Sequence, residues 1–261
     1  MMLVDSHCHL DFPELSERIE AILANMKQSG VGHALCAGVS LERFPALLEL
    51  VASWPQLYAA VGVHPDGEDS KEPSVEALAE LATRPKVIAI GETGLDYYRL
   101  KGDLEWQRQR FRNHIRAAIR AGKPLIVHTR SAAEDTLRIL KEENGDTAGG
   151  VMHCFTETWD IARAALDLGF FISFSGIVTF KNALELKDVA RRVPADRMLV
   201  ETDSPYLAPQ PYRGKINEPA YVVHVAAELA RLRTCSVEEI AELTTANFFR
   251  LFPAAKAETA Q

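Results

Sequence analysis

Three observations predict an α/β chain of the (β/α)8 TIM-barrel class. Eight short β-branched apolar runs recur along the 261 residues. Most are apolar nearly throughout, as strands covered on both faces are. Amphipathic stretches separate them, and eight strands alternating with helices in about 250 residues is the count of such a barrel.

In chain order the runs are MLVDSH (2–7), HALCAGV (33–39), LYAAVGVH (57–64), VIAIGE (87–92), PLIVHT (124–129), GVMHCF (150–155), FFISFSG (170–176) and RMLVETD (197–203). After the first run, LSERIEAILANMKQSG sets Leu15, Ile19, Ile22, Leu23 and Met26 on one helical stripe and stops at Gly30. After the fourth, LEWQRQRFRNHIRAAIRAG does the same with Phe111, Ile115 and Ile119, and stops at Gly122 before Pro124. The seventh run is followed by a loop, GIVTFKN. No linker or composition shift divides the chain, so 1–253 is expected to be one barrel domain, with 254–261 a frayed tail.

A content of 47% hydrophobic and 25% charged residues is that of an ordinary globular protein. The net charge of −7 argues against a broad basic surface for duplex DNA. The four cysteines have no close-pair spacing, which suggests neither a zinc knuckle nor a disulfide framework. No apolar run reaches the roughly 18 residues of a membrane span. The N-terminus lacks a secretory pattern. A cytoplasmic setting is expected, with no membrane partner; no protein partner is inferable.

Catalytic groups of such barrels sit at the C-terminal ends of the strands. Strand one ends in His7 and His9, which share a face because strand side chains alternate. Strand three ends in His64, four in Glu92, five in His128, six in His153 and eight in Asp203. Five of eight histidines on one rim is a bias that scattered core or surface histidines do not produce. His33, at a strand start, and His114 and His224, within helices, are ordinary by comparison. Cys8 and Cys154 alternate away from the histidines and are expected to be small buried residues under the helices.

Imidazole plus carboxylate without thiolate suits a divalent ion such as zinc, manganese, iron or magnesium. Six candidate ligands exceed the need of one tetrahedral ion, and two ions sharing a carboxylate would use them all. Glu92 is the natural bridge. His7, His9 and Asp203 then complete one site, and His128 and His153 the other. Two ions about 3.5–4 Å apart clamp the attacking and leaving oxygens of a displacement.

At these residues the sequence closely resembles the TatD family of metal-dependent deoxyribonucleases, within the amidohydrolase-like barrels. The match runs through VDSHCHLD, GVHP, GETGLDYY, IVHTR, HCF, GFFISFSGIVTFKNA, LVETDSPYLAP, RGKINEP and TTANFFRLF, nearly the whole chain. The resemblance implies a barrel of the metal-dependent hydrolase type. It implies one divalent ion on His7, His9, Glu92 and Asp203 and a second on Glu92, His128 and His153, the assignment already reached from spacing. It also implies 3′→5′ exonuclease or DNase activity with two ions per chain (magnesium, manganese or zinc). The acidic DGEDSKE after His64 and the last ten residues match no motif of the family.

A phosphate substrate has support in the sequence. Arg130 follows His128 by two residues; Arg99 and Lys101 follow strand four, and Arg213 and Lys215 follow strand eight. Such groups hold phosphate oxygens by charge-assisted bonds. Tyr97, Tyr98, Tyr206 and Tyr212 offer faces for unstacked bases. Loop arginines and tyrosines also serve packing. The row Arg108, Arg110, Arg112, Arg116 and Arg120 lies on an outer helix and reads as a solvated face. The expected reaction is hydrolysis of single-stranded DNA or another phosphodiester. Asp203 would accept the proton of the attacking water, and His64, not a ligand, would contact phosphate or protonate the leaving group. Glu201 shares the parity of Asp203 and fits either a support for the ligands or a salt-bridged barrel position. Hydrolysis of a small ester, lactone, amide or phosphotriester stays open, because fold does not set chemistry. Basic rim residues, and a glutamate rather than a modified lysine at the bridge, favour the diester. A catalytically silent metal-binding protein is the remaining alternative, against which stands the full ligand set.

Overall fold

Each apolar run forms a strand in the computed structural model, which describes residues 2–255. The strands are β1 (Leu3–Cys8), β2 (Val31–Cys36), β3 (Leu57–Val61), β4 (Val87–Asp96), β5 (Leu125–Arg130), β6 (Gly150–Met152), β7 (Phe171–Phe174) and β8 (Met198–Val200). They follow one another in chain order within one sheet, with parallel pairing. A parallel bridge from Cys8 to Ser204 also joins the end of β1 to the segment after β8. With helices in the connections, this is the (β/α)8 barrel. No helix among the described residues is long and apolar enough to cross a membrane.

The chain divides into two compact units. The first comprises the residues up to Cys36, Cys154–Arg163 and Ile172–Arg250. Its helix Ile19–Gln28 buries Ile22, Leu23 and Met26, three of the five stripe positions. Leu15 belongs to a separate turn, Pro13–Ser16, and Ile19 opens the second helix half-buried. The helix Val222–Arg233 contributes Val225 and Leu229 to the core, and Val237–Leu251 contributes Ile240 and Phe248.

The second unit comprises Ala37–His153, Ala164–Phe171 and the residues from Leu251. Its helix Glu105–Ala121 packs on β4 and ends at Gly122, whose φ of 61° is the left-handed conformation of a helix C-terminus. Phe111 and Ile115 are buried as expected, but so are Gln107, Arg110 and His114 on the same stripe. Arg110 therefore departs from the solvated row: it donates to the carbonyls of His64 (3.0 Å) and Gly67 (2.9 Å) and pairs with Glu72. Arg116 and Arg120 lie outward, paired with Glu143 and Glu76, whereas Arg108 and Arg112 are half-buried and pair with Glu105 and Glu142.

β4 continues four residues past Glu92, to Asp96, where the sequence suggested an end. The register against β5 shifts between Ile90 and Thr93, so Glu92 sits in an irregularity, the kind of feature that re-aims a side chain. The strand goes on because Gly94, at φ 136°, lets it run close to β5; a Cβ there would overlap the His128 carbonyl. Cys8 is buried, its Sγ 3.8 Å from that of Cys36. Cys154 is only half-buried, because β6 stops at Met152 and strand alternation no longer governs it. Residues 253–255 are helical, and the Ala255 carbonyl accepts the Tyr58 hydroxyl at 3.1 Å. Residues 256–261 of the expected tail lie outside the described residues.

Candidate metal centre

In the first unit, backbone bonds bring the end of β1 and the segment after β8 together. Asp203 N–H donates to the His7 carbonyl (2.9 Å) and His9 N–H to the Ser204 carbonyl (2.8 Å). Beneath them the buried Asp5 carboxylate accepts from Thr202 N–H (2.9 Å), the Thr202 hydroxyl (2.5 Å) and His7 N–H (3.3 Å). Burial pushes the Asp5 carboxyl well above the usual carboxylate range, although these bonds oppose the rise. Asp203 is held at φ 56°, a left-handed conformation that costs a non-glycine residue and persists where surrounding bonds over-determine it.

This frame places His7 Nε2 3.3 Å from His9 Nε2, and Asp203 Oδ1 3.6 Å and 3.4 Å from the two nitrogens. One proton at most serves a contact between two imidazole nitrogens. Ligand atoms about 2.0–2.1 Å from a tetrahedral ion stand roughly 3.4 Å apart, so the three atoms have the spacing a cation needs. The donor set and its geometry fit a divalent ion.

In the second unit, three imidazoles converge on one carboxylate oxygen. Glu92 Oε1 lies 2.8 Å from His153 Nε2, 3.0 Å from His128 Nδ1 and 3.2 Å from His64 Nε2. His153 Nε2 and His128 Nδ1 are 3.4 Å apart. Glu92 and His153 are buried. His64, Glu92 and His128 alone already form a group able to hold an ion. His64 is thus closer to the ligands than a purely substrate-facing residue needs to be. Burial disfavours its imidazolium, but Glu92 and Asp66 outweigh that and push its pKa up to about 10.

Two carboxylates around these histidines were not singled out in the sequence. Asp66 bonds His64 Nδ1 and takes a 2.6 Å bond from Arg99, and its carboxyl is lowered first by the His64 bond. Asp96 faces His128 Nε2 at 3.3 Å and accepts from Tyr98 and Arg99 N–H, both at 2.9 Å. Burial opposes its ionisation, yet His128 and these amides bring it down to about 2. A carboxylate on the far nitrogen of a ligand histidine fixes the ring and raises its basicity. Asp96→Asn should therefore weaken metal binding about 10–100-fold, read by titrating chelator-stripped protein with manganese or zinc. Unchanged affinity would leave Asp96 with the Tyr98–Arg99 turn alone.

Other expected residues fall as follows. Arg130 is exposed, its guanidinium 4.0 Å over the Tyr98 ring. Tyr97 donates its hydroxyl to Asp135 at 2.7 Å, and Lys101 reaches the Tyr97 carbonyl at 2.8 Å. In the first unit, Arg213 lies 4.4 Å over Phe180 and Lys215 5.6 Å over Tyr212, which itself stacks on Tyr221 at 4.1 Å. Glu201 is buried and accepts Cys154 N–H at 2.7 Å. His114 is a satisfied core histidine: Nε2 accepts Val63 N–H (3.0 Å) and Nδ1 donates to the Arg110 carbonyl (2.8 Å). Burial pushes its pKa down to about 4. His33 meets Phe249 edge-on, with ring centroids 5.6 Å apart.

A (β/α)8 barrel with histidine and carboxylate clusters following its strands defines a class, the metal-dependent hydrolases of this fold. Residues 4–253 match the family described as TatD related DNase, and the chain belongs to it. "Uncharacterized metal-dependent hydrolase YcfH" of Escherichia coli is 48% identical over 97% of this chain and 96% of its own length. The corresponding YabD of Bacillus subtilis is 42% identical over 96% and 99%. The crystal structure of YjjV, a TatD homolog from E. coli, superposes with a TM-score of 0.89 at 33% identity, covering 96% of this chain and 98% of that one. The protein is a metal-dependent hydrolase of the TatD family.

Proposed function

We propose that the chain hydrolyses phosphodiester bonds at the ends of single-stranded DNA, working from the 3′ end, with two divalent ions that share Glu92. The observation that carries the reading is the gathering of His64, His128 and His153 on one oxygen of Glu92, 2.8–3.2 Å away. Within the first unit, the His7–His9–Asp203 triangle has edges of 3.3–3.6 Å. His7, His9, Asp203 and Glu92 would hold one ion and Glu92, His128 and His153 the other. Magnesium, manganese and zinc all suit these donors. When bound, such ions lower the pKa of water and draw charge from a phosphoryl oxygen.

The protein's own groups do the rest. Asp203 takes the proton of the attacking water on its carboxylate. His64, its Nδ1 tied to Asp66, presents Nε2 to the phosphate or to the leaving oxygen. Arg130, Arg213 and Lys215 hold phosphoryl oxygens, while Tyr98 and Tyr97 border the strand. A net charge of −7 gives little long-range pull on a duplex, and an end with unstacked bases suits a rim site.

The test is a labelled linear single strand, a blunt duplex and a circular single strand, each with magnesium, manganese and zinc. The linear strand should shorten from its 3′ end, the duplex more slowly, and the circle should survive. Arg130→Ala should lower kcat/KM at least about tenfold without loss of metal, as a lost charge-assisted phosphate bond does. Salt should weaken binding with a shallow slope, because few phosphates are engaged. Equal rates on circle and linear strand would reject end recognition. Turnover of a lactone or amide, with no oligonucleotide cut under any metal, would reject the phosphodiester reading.

A further inference from the structure

Two aromatic rings in the first unit are tethered to metal-ligand candidates by matching turns. Phe12 follows His9 by three residues and donates its N–H to the His9 carbonyl at 3.1 Å. Tyr206 follows Asp203 by three and donates to the Asp203 carbonyl at 3.0 Å. The Phe12 ring stacks on the His9 imidazole, with centroids 4.8 Å apart and planes at 23°. Tyr206 then meets Phe12 edge to face, at 6.2 Å and 79°. The buried Asn217 clamps the tyrosine's backbone by donating to the carbonyls of Tyr206 (2.6 Å) and Thr202 (2.9 Å).

The Tyr206 backbone is thus tightly held while its side chain is about half exposed. Tyr206 is 54% exposed, against 0% for Asn217 beneath it. The backbone bonds and the edge contact with Phe12 place the ring one turn of chain from Asp203, with much of its surface exposed. A pre-positioned, exposed ring loses little freedom on binding, and its natural ligand is another flat ring. The turn residues are local, so the shelf moves with His9 and Asp203 and keeps its distance from whatever those residues hold.

We propose that Phe12 and Tyr206 form a stacking shelf for the nucleobase next to the scissile phosphate, Tyr206 making the contact and Phe12 bracing it against His9. The inference rests on the phosphodiester reading and names the part of the substrate that reading leaves unspecified. Stacking is indifferent to base identity, since every base has a π-face. The shelf therefore accepts all four bases and rejects their absence.

The test compares the parent with Tyr206→Leu, Tyr206→Trp and Phe12→Leu, using a single strand with normal end nucleotides and one with an abasic end. Binding is read by anisotropy on chelator-stripped protein, and KM and kcat on the metal-loaded enzyme. The parent should prefer the normal end over the abasic one by about tenfold, in line with one stacked base. Tyr206→Leu should bring that preference close to one, mainly through KM, with metal content unchanged. Phe12→Leu should reduce it partly, and Tyr206→Trp should restore it. A parent-like preference in Tyr206→Leu would overturn the shelf. So would loss of metal in that variant, which would make the ring a structural part of the Asp203 turn. If the parent neither binds nor cuts any oligonucleotide, the phosphodiester reading falls first and the shelf with it; cleavage by the parent without a base preference defeats the shelf alone.

Discussion

Glu92→Ala should remove most of the bound metal and nearly all hydrolysis while the barrel still folds. Glu92 Oε1 is the atom around which His64, His128 and His153 gather, at 2.8–3.2 Å, and the carboxylate assigned to both ions. Without it the imidazoles lose their common acceptor, and the two proposed ions would lose their shared anion. Folding should tolerate the change, because the Glu92 backbone keeps its own bond to the Gly38 carbonyl (2.9 Å) and the group removed is a polar carboxylate, not part of the apolar core. Metal content by mass spectrometry beside turnover decides it. Two tightly held ions per chain with normal turnover in the variant would remove the shared-carboxylate assignment.

His64→Ala should keep both ions and lose turnover by about 10²–10⁴-fold, the usual weight of a general acid or base. The structure sharpens this comparison, since Nε2 stands 3.2 Å from Glu92 Oε1 and Nδ1 is tied to Asp66. Those contacts aim the ring at the same carboxylate that His128 and His153 approach. If His64→Ala loses an ion along with turnover, His64 is a ligand. If it keeps both ions and its rate, His64 has neither role.

The histidines were legible because strand alternation and strand ends are periodic features of sequence. His7 and His9 face together even though β1 ends at Cys8, one residue before the second of them. Asp96 was not legible for a related reason. β4 continues through Gly94, a residue that in a sequence speaks for a break, and only the extended strand carries Asp96 up to His128. Its position four residues after Glu92, with the same parity, was the available signal. Asp5 shares the parity of His7 in the same way, but its work is to bind the backbone of Thr202, a partner 197 residues away that no local pattern reveals. Arg110 misled because arginines spaced along a helix normally face solvent. Its charge is satisfied instead by Glu72 and by the carbonyls of His64 and Gly67. Of the row around it, Arg116 and Arg120 are exposed as charge spacing suggests, while Arg108 and Arg112 are half-buried. The basic and aromatic residues of the loops were legible as candidates only, because pairings such as Arg99 with Asp66 or Tyr97 with Asp135 depend on folds of chain far apart in sequence.

That two divalent ions share Glu92 is tested by anomalous diffraction from crystals grown with manganese or zinc. Two peaks about 3.5–4 Å apart are expected with the Glu92 carboxylate between them, one beside His7, His9 and Asp203 and the other beside His128 and His153. A single peak held without Glu92, or two peaks with Glu92 bound to neither, would contradict it.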